Sequence, residues 1–166
     1  MIDKIVIDAD LCIKLGGHKK YTFLYDILPL VADKIYMHTH AHGEVLMPSS
    51  AVQQLSKLIS ENKVVLVNES NLDSKDRAVY DAAYKNLAKA TGIPVFATDE
   101  KDLQPIIDKQ LNTGIDDITC IRIVDIIIKA RDGEVDVSRK VAKALWIIAG
   151  KNKDIFDTEI WPVKAE

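Results

Sequence analysis

The sequence predicts an α/β protein of three layers, a mostly parallel five-stranded sheet between helices. Two observations carry that expectation. Strand-like and helix-like patterns alternate along the whole chain, the mark of successive βα units. The first strand, around Ile5-Val6-Ile7, is apolar without a polar alternate, as suits a strand covered on both faces.

The first strand is read at Lys4–Asp8 and delivers two acids, Asp8 and Asp10, to its carboxyl end. Gly16-Gly17 marks a turn, and helical periodicity follows over Lys20–Ala32. A second strand is expected at Lys34–His40. Pro48 before Ser49-Ser50 opens a helix that runs to Glu61, and the β-branched run at Lys63–Val67 reads as the third strand. Ser74 is placed to cap a long helix, Ser74–Thr91. Thr91-Gly92-Ile93-Pro94 stops that helix and begins an extended segment, Pro94–Thr98, the fourth strand. A helix at Lys101–Leu111, a fifth strand at Ile118–Ile121 and a helix at Val124–Arg131 complete the alternation, with Arg131-Asp132-Gly133 as the stop. Beyond them lies a further helix, Ser138–Ala149, and a polar tail that Trp161-Pro162 would pin to the body.

With 166 residues the chain suits one domain, 1–166, with a single core. Its 48% hydrophobic and 28% charged residues are those of an ordinary globular protein. Lys and Arg number 22 against 25 Asp and Glu, a net charge of −3, which excludes polyanion binding by the surface as a whole but not by a local patch. Cys12 and Cys120 sit in apolar surroundings and read as buried thiols, not as a disulfide or a zinc site. No apolar run reaches membrane-spanning length and no signal pattern opens the chain, so a cytoplasmic location without membrane contact is expected.

The acids fall at comparable places. Asp8 and Asp10 end the first strand; Glu44 follows the second, in His42-Gly43-Glu44-Val45; Asp81 lies in the long middle helix; Asp99, Glu100 and Asp102 follow the fourth. In a parallel sheet, ligands bind outside the carboxyl ends of the strands. Carboxylates converging there repel one another and call for a cation. Oxygen-only ligation without a calcium-loop spacing points to Mg²⁺ or Mn²⁺. Each acid singly also reads as a helix cap.

Four of these segments, taken in order, resemble the motifs of PIN-domain nucleases. Ile5-Val6-Ile7-Asp8-Ala9-Asp10-Leu11-Cys12-Ile13 is similar to that family's first strand, with Asp10 where Asn or Ser is common. Gly43-Glu44-Val45-Leu46 is similar to its second motif, and Asp81, eleven residues before Gly92, to its helix acid. Thr98-Asp99-Glu100-Lys101-Asp102-Leu103 resembles its fourth motif. The resemblance spans about residues 4–125, leaving the helix near 138–150 as an addition. It implies a five-stranded parallel sheet and metal-dependent endonucleolytic cleavage of single-stranded RNA. It implies Asp8, Glu44, Asp81 and Asp99 as catalytic metal ligands for Mg²⁺ or Mn²⁺, with Asp10 and Asp102 as supporting acids; Asp117 is a further candidate supporting acid from its place before the fifth strand. It further suggests a toxin-like role, with an antitoxin-type protein or a second copy of the chain as partner.

Other features stay open at this level. Gly16-Gly17-His18-Lys19-Lys20 suits either a solvated loop or a grip on phosphate through His18, Lys19 and Lys20. His38, His40 and His42 would share one side of a continuing strand, to contact phosphate (His42 foremost), to bind zinc or copper, or only to pack. Asp116-Asp117 forms a turn or supports a metal, and Trp146 and Trp161 read as packing anchors. Asp8-Ala9-Asp10 also fits a haloacid dehalogenase-type phosphatase, with Asp8 as nucleophile, Asp10 as acid/base and Asp116-Asp117 as late metal ligands. An inactive PIN-like module binding RNA or protein is the non-enzymatic alternative.

Overall fold

In the computed structural model of the protein, residues 1–67, 95–110, 112–114 and 117–163 are described. Five parallel strands form one sheet in the order β3-β2-β1-β4-β5. They are β1 Ile2–Ile7, β2 Ala32–His38, β3 Val64–Val67, β4 Val95–Ala97 and β5 Thr119–Ile121. The helices of the motif-bearing part are α1 Ala9–Gly16, α2 Phe23–Val31, α3 Thr39–Glu44, α4 Ser49–Ser60, α5 Leu103–Gln110 and α6 Ile123–Arg131. Beyond them comes α7 Arg139–Ile148, followed by a short helical turn at Lys153–Ile155 that continues as a π-helical turn at Phe156–Ile160.

β1 is central, paired with β2 on one side and β4 on the other. The alternation of its side chains explains why Ile5, Val6 and Ile7 are all apolar. Ile5 and Ile7 enter the larger core with residues of α1, α2, α4, α6 and α7. Val6, between them, faces the opposite way into a smaller cluster with Phe96, Leu103, Ile107 and Ile118, where α5 covers the sheet. Helices on both faces of a parallel sheet make the three-layer α/β/α fold that the sequence predicts.

The sheet order carries the functional consequence. From β1 the chain builds outward through β2 and β3, then returns to the other side of β1 for β4 and β5. The order therefore reverses between β1 and β4, and the residues leaving these two strands stand at the switch point where such folds bind ligands. Asp8 leaves β1 and Thr98-Asp99 leave β4, neighbours across a ladder that Asp8 N–H extends to Ala97 O at 3.0 Å.

Several boundaries differ from those expected. The chain between Asp8 and Gly16, where no element is expected, is helix α1. β1 and β2 each begin and end ahead of their predicted ranges, because helices α1 and α3 take over the strand exits. The helix expected from Lys20 begins at Phe23, whose buried ring is stacked at 4.9 Å by the exposed ring of Tyr21. The helix expected at 74–91, with its Asp81, lies outside the described residues, as do Pro94, Leu111 and Asp116. The Arg131-Asp132-Gly133 stop is a left-handed helix end with Gly133 at φ +80° and Glu134 N–H donating to Lys129 O at 2.8 Å. The tail is fastened as its tryptophans suggest. Phe156 is fully buried, its ring 6.2 Å from that of Trp146 and 6.4 Å from that of Trp161. Arg139 Nε donates to Trp161 O at 3.0 Å.

α1 crosses α4 where Gly16 meets Ala51, and the meeting leaves no room for a side chain. A Cβ on Gly16 would lie 2.5 Å from Ala51 Cα and 2.6 Å from its Cβ. Gly16 O is held on the same spot by Ser50 Oγ at 2.6 Å and Gln54 Nε2 at 3.3 Å. Gly16→Ala is expected to force the two helices apart and cost about 1–3 kcal/mol, several degrees of melting temperature. Thermal denaturation checks this, and an unchanged midpoint would contradict the close approach.

Candidate functional site

Asp8 occupies the N-cap position of α1 in an extended conformation (φ −100°, ψ 158°), yet its side chain closes no cap hydrogen bond. The carboxylate is turned instead to the neighbouring strand exit, where Thr98 Oγ1 donates to Asp8 Oδ2 at 2.7 Å. Thr98 is itself fully buried, and its hydroxyl oxygen accepts from Glu100 N–H at 3.2 Å. One hydroxyl thus sets both the Asp8 carboxylate and the turn that carries Glu100. Burial pushes the Asp8 carboxyl above its ordinary value; the Thr98 hydroxyl and the amides of Asp10 and Ala9 oppose this, and the Asp10 charge adds to it.

Asp10 lies one turn before Lys14 on α1. Its Oδ2 is buried and has no hydrogen-bond partner, with Lys14 Nζ 3.8 Å away. Glu100 is exposed, but its carboxyl is also held above its ordinary value, by partial burial first and then by the charges of Asp8, Asp10 and Glu44, against Lys14. Asp8, Asp10, Glu44 and Glu100 therefore share one field of like charge. Beneath it, burial drives the Cys12 thiol well above its ordinary value, with Asp8 and Asp10 reinforcing it, so the thiol stays protonated. Burial likewise pushes Cys120 up to about 12.

Asp99 differs from its neighbours. Expected as a metal ligand, it is buried, with both carboxylate oxygens engaged. Lys14 Nζ donates to Oδ2 at 2.7 Å and Ile123 N–H to Oδ1 at 3.2 Å. Arg122 Nε stands 3.7 Å from Oδ1 and donates to Asp99 O at 3.2 Å. This acid ties α1, β4 and the start of α6 together, while the next residue, Glu100, faces the acid group. The Asp99 hydrogen bond raises the Lys14 ammonium above its ordinary value.

Glu44 closes α3 rather than following a strand directly; its Oε1 is 3.5 Å from His40 Nε2 and its side chain is 52% exposed. The three histidines do not share a strand face, because β2 ends at His38 and Thr39–Glu44 is helical. His38 is buried and caps α3, its Nδ1 accepting from His40 N–H at 2.9 Å. His40 and His42 then sit two positions apart on a helix, so they point in different directions. His18 Nδ1 accepts from Lys20 N–H at 3.0 Å and its ring lies 4.8 Å from that of Tyr21, with Lys19 and Lys20 exposed beside it. Asp102 is exposed in the turn before α5. Asp117 Oδ1 accepts from Thr113 N–H and Gly114 N–H, both at 2.9 Å, and so closes the turn before β5.

Among the described residues, no group of three or more His, Cys, Asp or Glu side chains converges closely enough to hold a metal ion. No protein-family model, curated protein or solved structure matches the chain. Among the described residues no helix is long and apolar enough to cross a membrane. What the fold and site define is a doubly wound parallel α/β protein with a group of like-charged acids at its switch point.

Sequence reasoning singled out Asp8, Asp10 and Glu44 but missed Lys14 and Arg122. A basic residue four positions after an acid on a helix was the available signal for Lys14. Arg122 had none, since its partner is reached through β4 and β5.

Two strand-end acids should respond oppositely to neutralisation. Asp8 and Glu100 hold their protons more tightly folded than unfolded. Their contribution to stability is therefore complete below the unfolded value, 3.8 for Asp8, and is lost as pH rises through the raised folded values. Without divalent metal, the melting temperature of Asp8→Asn relative to wild type is expected to climb from about pH 4 to about pH 7, with the variant the more stable at neutrality. A flat difference over that window would contradict the burial of an ionised Asp8. Asp99→Asn, by contrast, strands Lys14 and Arg122. It should cost toward the lower end of the roughly 3–5 kcal/mol typical of a broken buried pair, both cations being partly solvated. Urea denaturation reads that loss directly, and an Asp99→Asn variant as stable as wild type would contradict it.

Proposed function

We propose that this protein is a divalent-cation-dependent nuclease that hydrolyses phosphodiester bonds of single-stranded RNA at the carboxyl ends of β1 and β4. The observation that carries this reading is the like-charge group of Asp8, Asp10, Glu44 and Glu100 around a buried Asp10 oxygen without a hydrogen bond. Hard oxygen donors of this kind suit Mg²⁺ or Mn²⁺. Mg²⁺ commonly takes one or two carboxylates and keeps several waters, so it does not require three converging side chains. Asp8 and Asp10 are the residues that would hold the ion, with Glu100 and Glu44 acting on it through its waters and their charge. Bound there, it supplies Lewis-acid polarisation of a phosphoryl oxygen and offsets the charge that develops on hydrolysis. Thr98 keeps the Asp8 carboxylate aimed, and Asp99 keeps α1 in place through Lys14. RNA as the substrate rests on the order of the four PIN-like motifs, of which Asp81 lies outside the described residues.

A phosphatase reading needs Asp8 as a free nucleophile. Its Oδ2 is tied to Thr98, and burial favours the protonated carboxyl, both of which weaken attack on phosphorus.

Labelled single-stranded RNA and p-nitrophenyl phosphate, each with Mg²⁺, Mn²⁺ or EDTA, test the proposal. RNA cleavage with either metal and none in EDTA is expected. Asp8→Asn should lower it more than about 100-fold, since even outer partners of metal sites cost about 10–100-fold. Glu100→Gln should lower it further than Asp99→Asn does once both variants are compared as folded protein. Phosphate release without RNA cleavage would transfer the case to the phosphatase; RNA binding without either would leave a binding module.

A further inference from the structure

Three rings gather where the chain passes from α1 to α2. Tyr21 lies over Phe23 with ring centres 4.9 Å apart and planes within 10° of parallel. The His18 ring stands 4.8 Å from Tyr21 and 5.8 Å from Phe23, tilted to both. Phe23 is 3% exposed and seats the stack in the core, while Tyr21 is 46% exposed. A ring set on a buried one is ordered before any partner arrives, so a second flat group stacks on it at little further cost in side-chain entropy.

The loop itself is tied down. Gly16 O accepts from Ser50 Oγ and Gln54 Nε2 at its start, and Lys20 N–H donates to His18 Nδ1 at 3.0 Å within it. Lys19 and Lys20 are left exposed beside the rings. Among the described residues no carboxylate pairs with either ammonium. Asp26, the nearest acid along the chain, is engaged by Thr22 Oγ1 at 2.6 Å. A pre-ordered, open ring beside unpaired cations is the combination that receives single-stranded nucleic acid, with bases stacking on the ring and cations meeting phosphates. In a duplex the base faces are already covered by their neighbours, so the ring favours a single strand.

The position suits the acid group. Asp8 stands at one end of α1 and this loop leaves the other, a separation of about 12 Å for eight residues. Gly17 also lies against Pro48, four residues beyond Glu44, since a Cβ there would be 3.7 Å from Pro48 Cγ.

We propose that the loop from His18 to Tyr21 is a docking surface for single-stranded RNA. One base stacks on Tyr21, Lys19 and Lys20 hold the adjoining phosphates, and His18 props the Tyr21 ring. The choice of RNA rests on the nuclease reading above; the surface itself needs no metal ion.

Fluorescence anisotropy of a short labelled oligouridylate with the full chain in EDTA tests this apart from catalysis. Tyr21→Leu is expected to weaken binding about 5- to 100-fold, the worth of one stacked base, and Tyr21→Phe to preserve it. Replacing Lys19 and Lys20 together by Gln should lower the slope of log affinity against log salt by about 1.4, about 0.7 for each phosphate contact. An RNA duplex of the same length should bind more weakly than the single strand. Unchanged binding by Tyr21→Leu would overturn the stacking site, and an unchanged salt slope would overturn the phosphate contacts. Should Tyr21→Leu fail to fold, the lysine variant and the duplex comparison decide, a duplex bound as tightly as the single strand counting against the proposal. RNA cleavage with Mn²⁺ by a protein whose binding ignores these substitutions would overturn the surface and leave the nuclease reading standing. Binding with the expected pattern but no cleavage would overturn that reading and uphold the surface.

Discussion

The Asp99 carboxylate leaves β4 directly into the interior, where an unpaired charge would be prohibitively costly, and the surrounding structure is organised around relieving it. Lys14 reaches it from α1, Arg122 from the end of β5, and the first amide of α6 completes the set. These partners come from segments more than 80 positions and more than 20 positions away, |i−j| = 85 and 24. Their meeting fixes α1 across the exits of β1 and β4. Because α1 begins immediately after Asp8, the same closure decides where Asp8 and Asp10 stand. A fully paired acid thereby positions its neighbours.

Those neighbours are tolerated for local reasons. Asp8 and Asp10 sit at the start of a helix, where unpaired amides and the helix dipole favour negative charge. Thr98 adds a hydrogen bond from a hydroxyl that is wholly buried. Neither effect cancels burial, and the proton affinity of Asp8 stays raised. The fold therefore carries a locally unfavourable charge arrangement on its most securely held strand, a placement that functional sites often show.

Much of the fold could be read from residues because its signals are periodic. The uninterrupted apolar run Ile5-Val6-Ile7 means burial on both faces, and the two core clusters that separate Val6 from Ile5 and Ile7 are that statement in space. Short helices at strand exits were harder. α1 and α3 span eight and six residues, too few turns to establish a pattern against the strand before them. In the acid group, strand-end position identified Asp8 and the Asp99-Glu100 pair, but not which member of the pair turns inward. That choice is made by Lys14 and Arg122, whose contacts cross the sheet and leave no local trace. Asp117 was legible as a turn residue for the opposite reason, since its partners Thr113 and Gly114 are adjacent in sequence.

The hydrogen bond from Asp8 N–H to Ala97 O extends the central ladder one residue past the last formal strand position. A backbone amide in the middle of a five-stranded sheet exchanges with solvent only when the whole domain opens, whereas exposed loop segments open on their own at little cost. Asp8 is therefore the acid anchored by the central ladder. Glu44, at the end of a six-residue helix, and Glu100, in the turn after β4, lie outside that ladder. Within the acid group the aspartate is thus seated on the sheet itself, while the glutamates are carried by short segments beyond it.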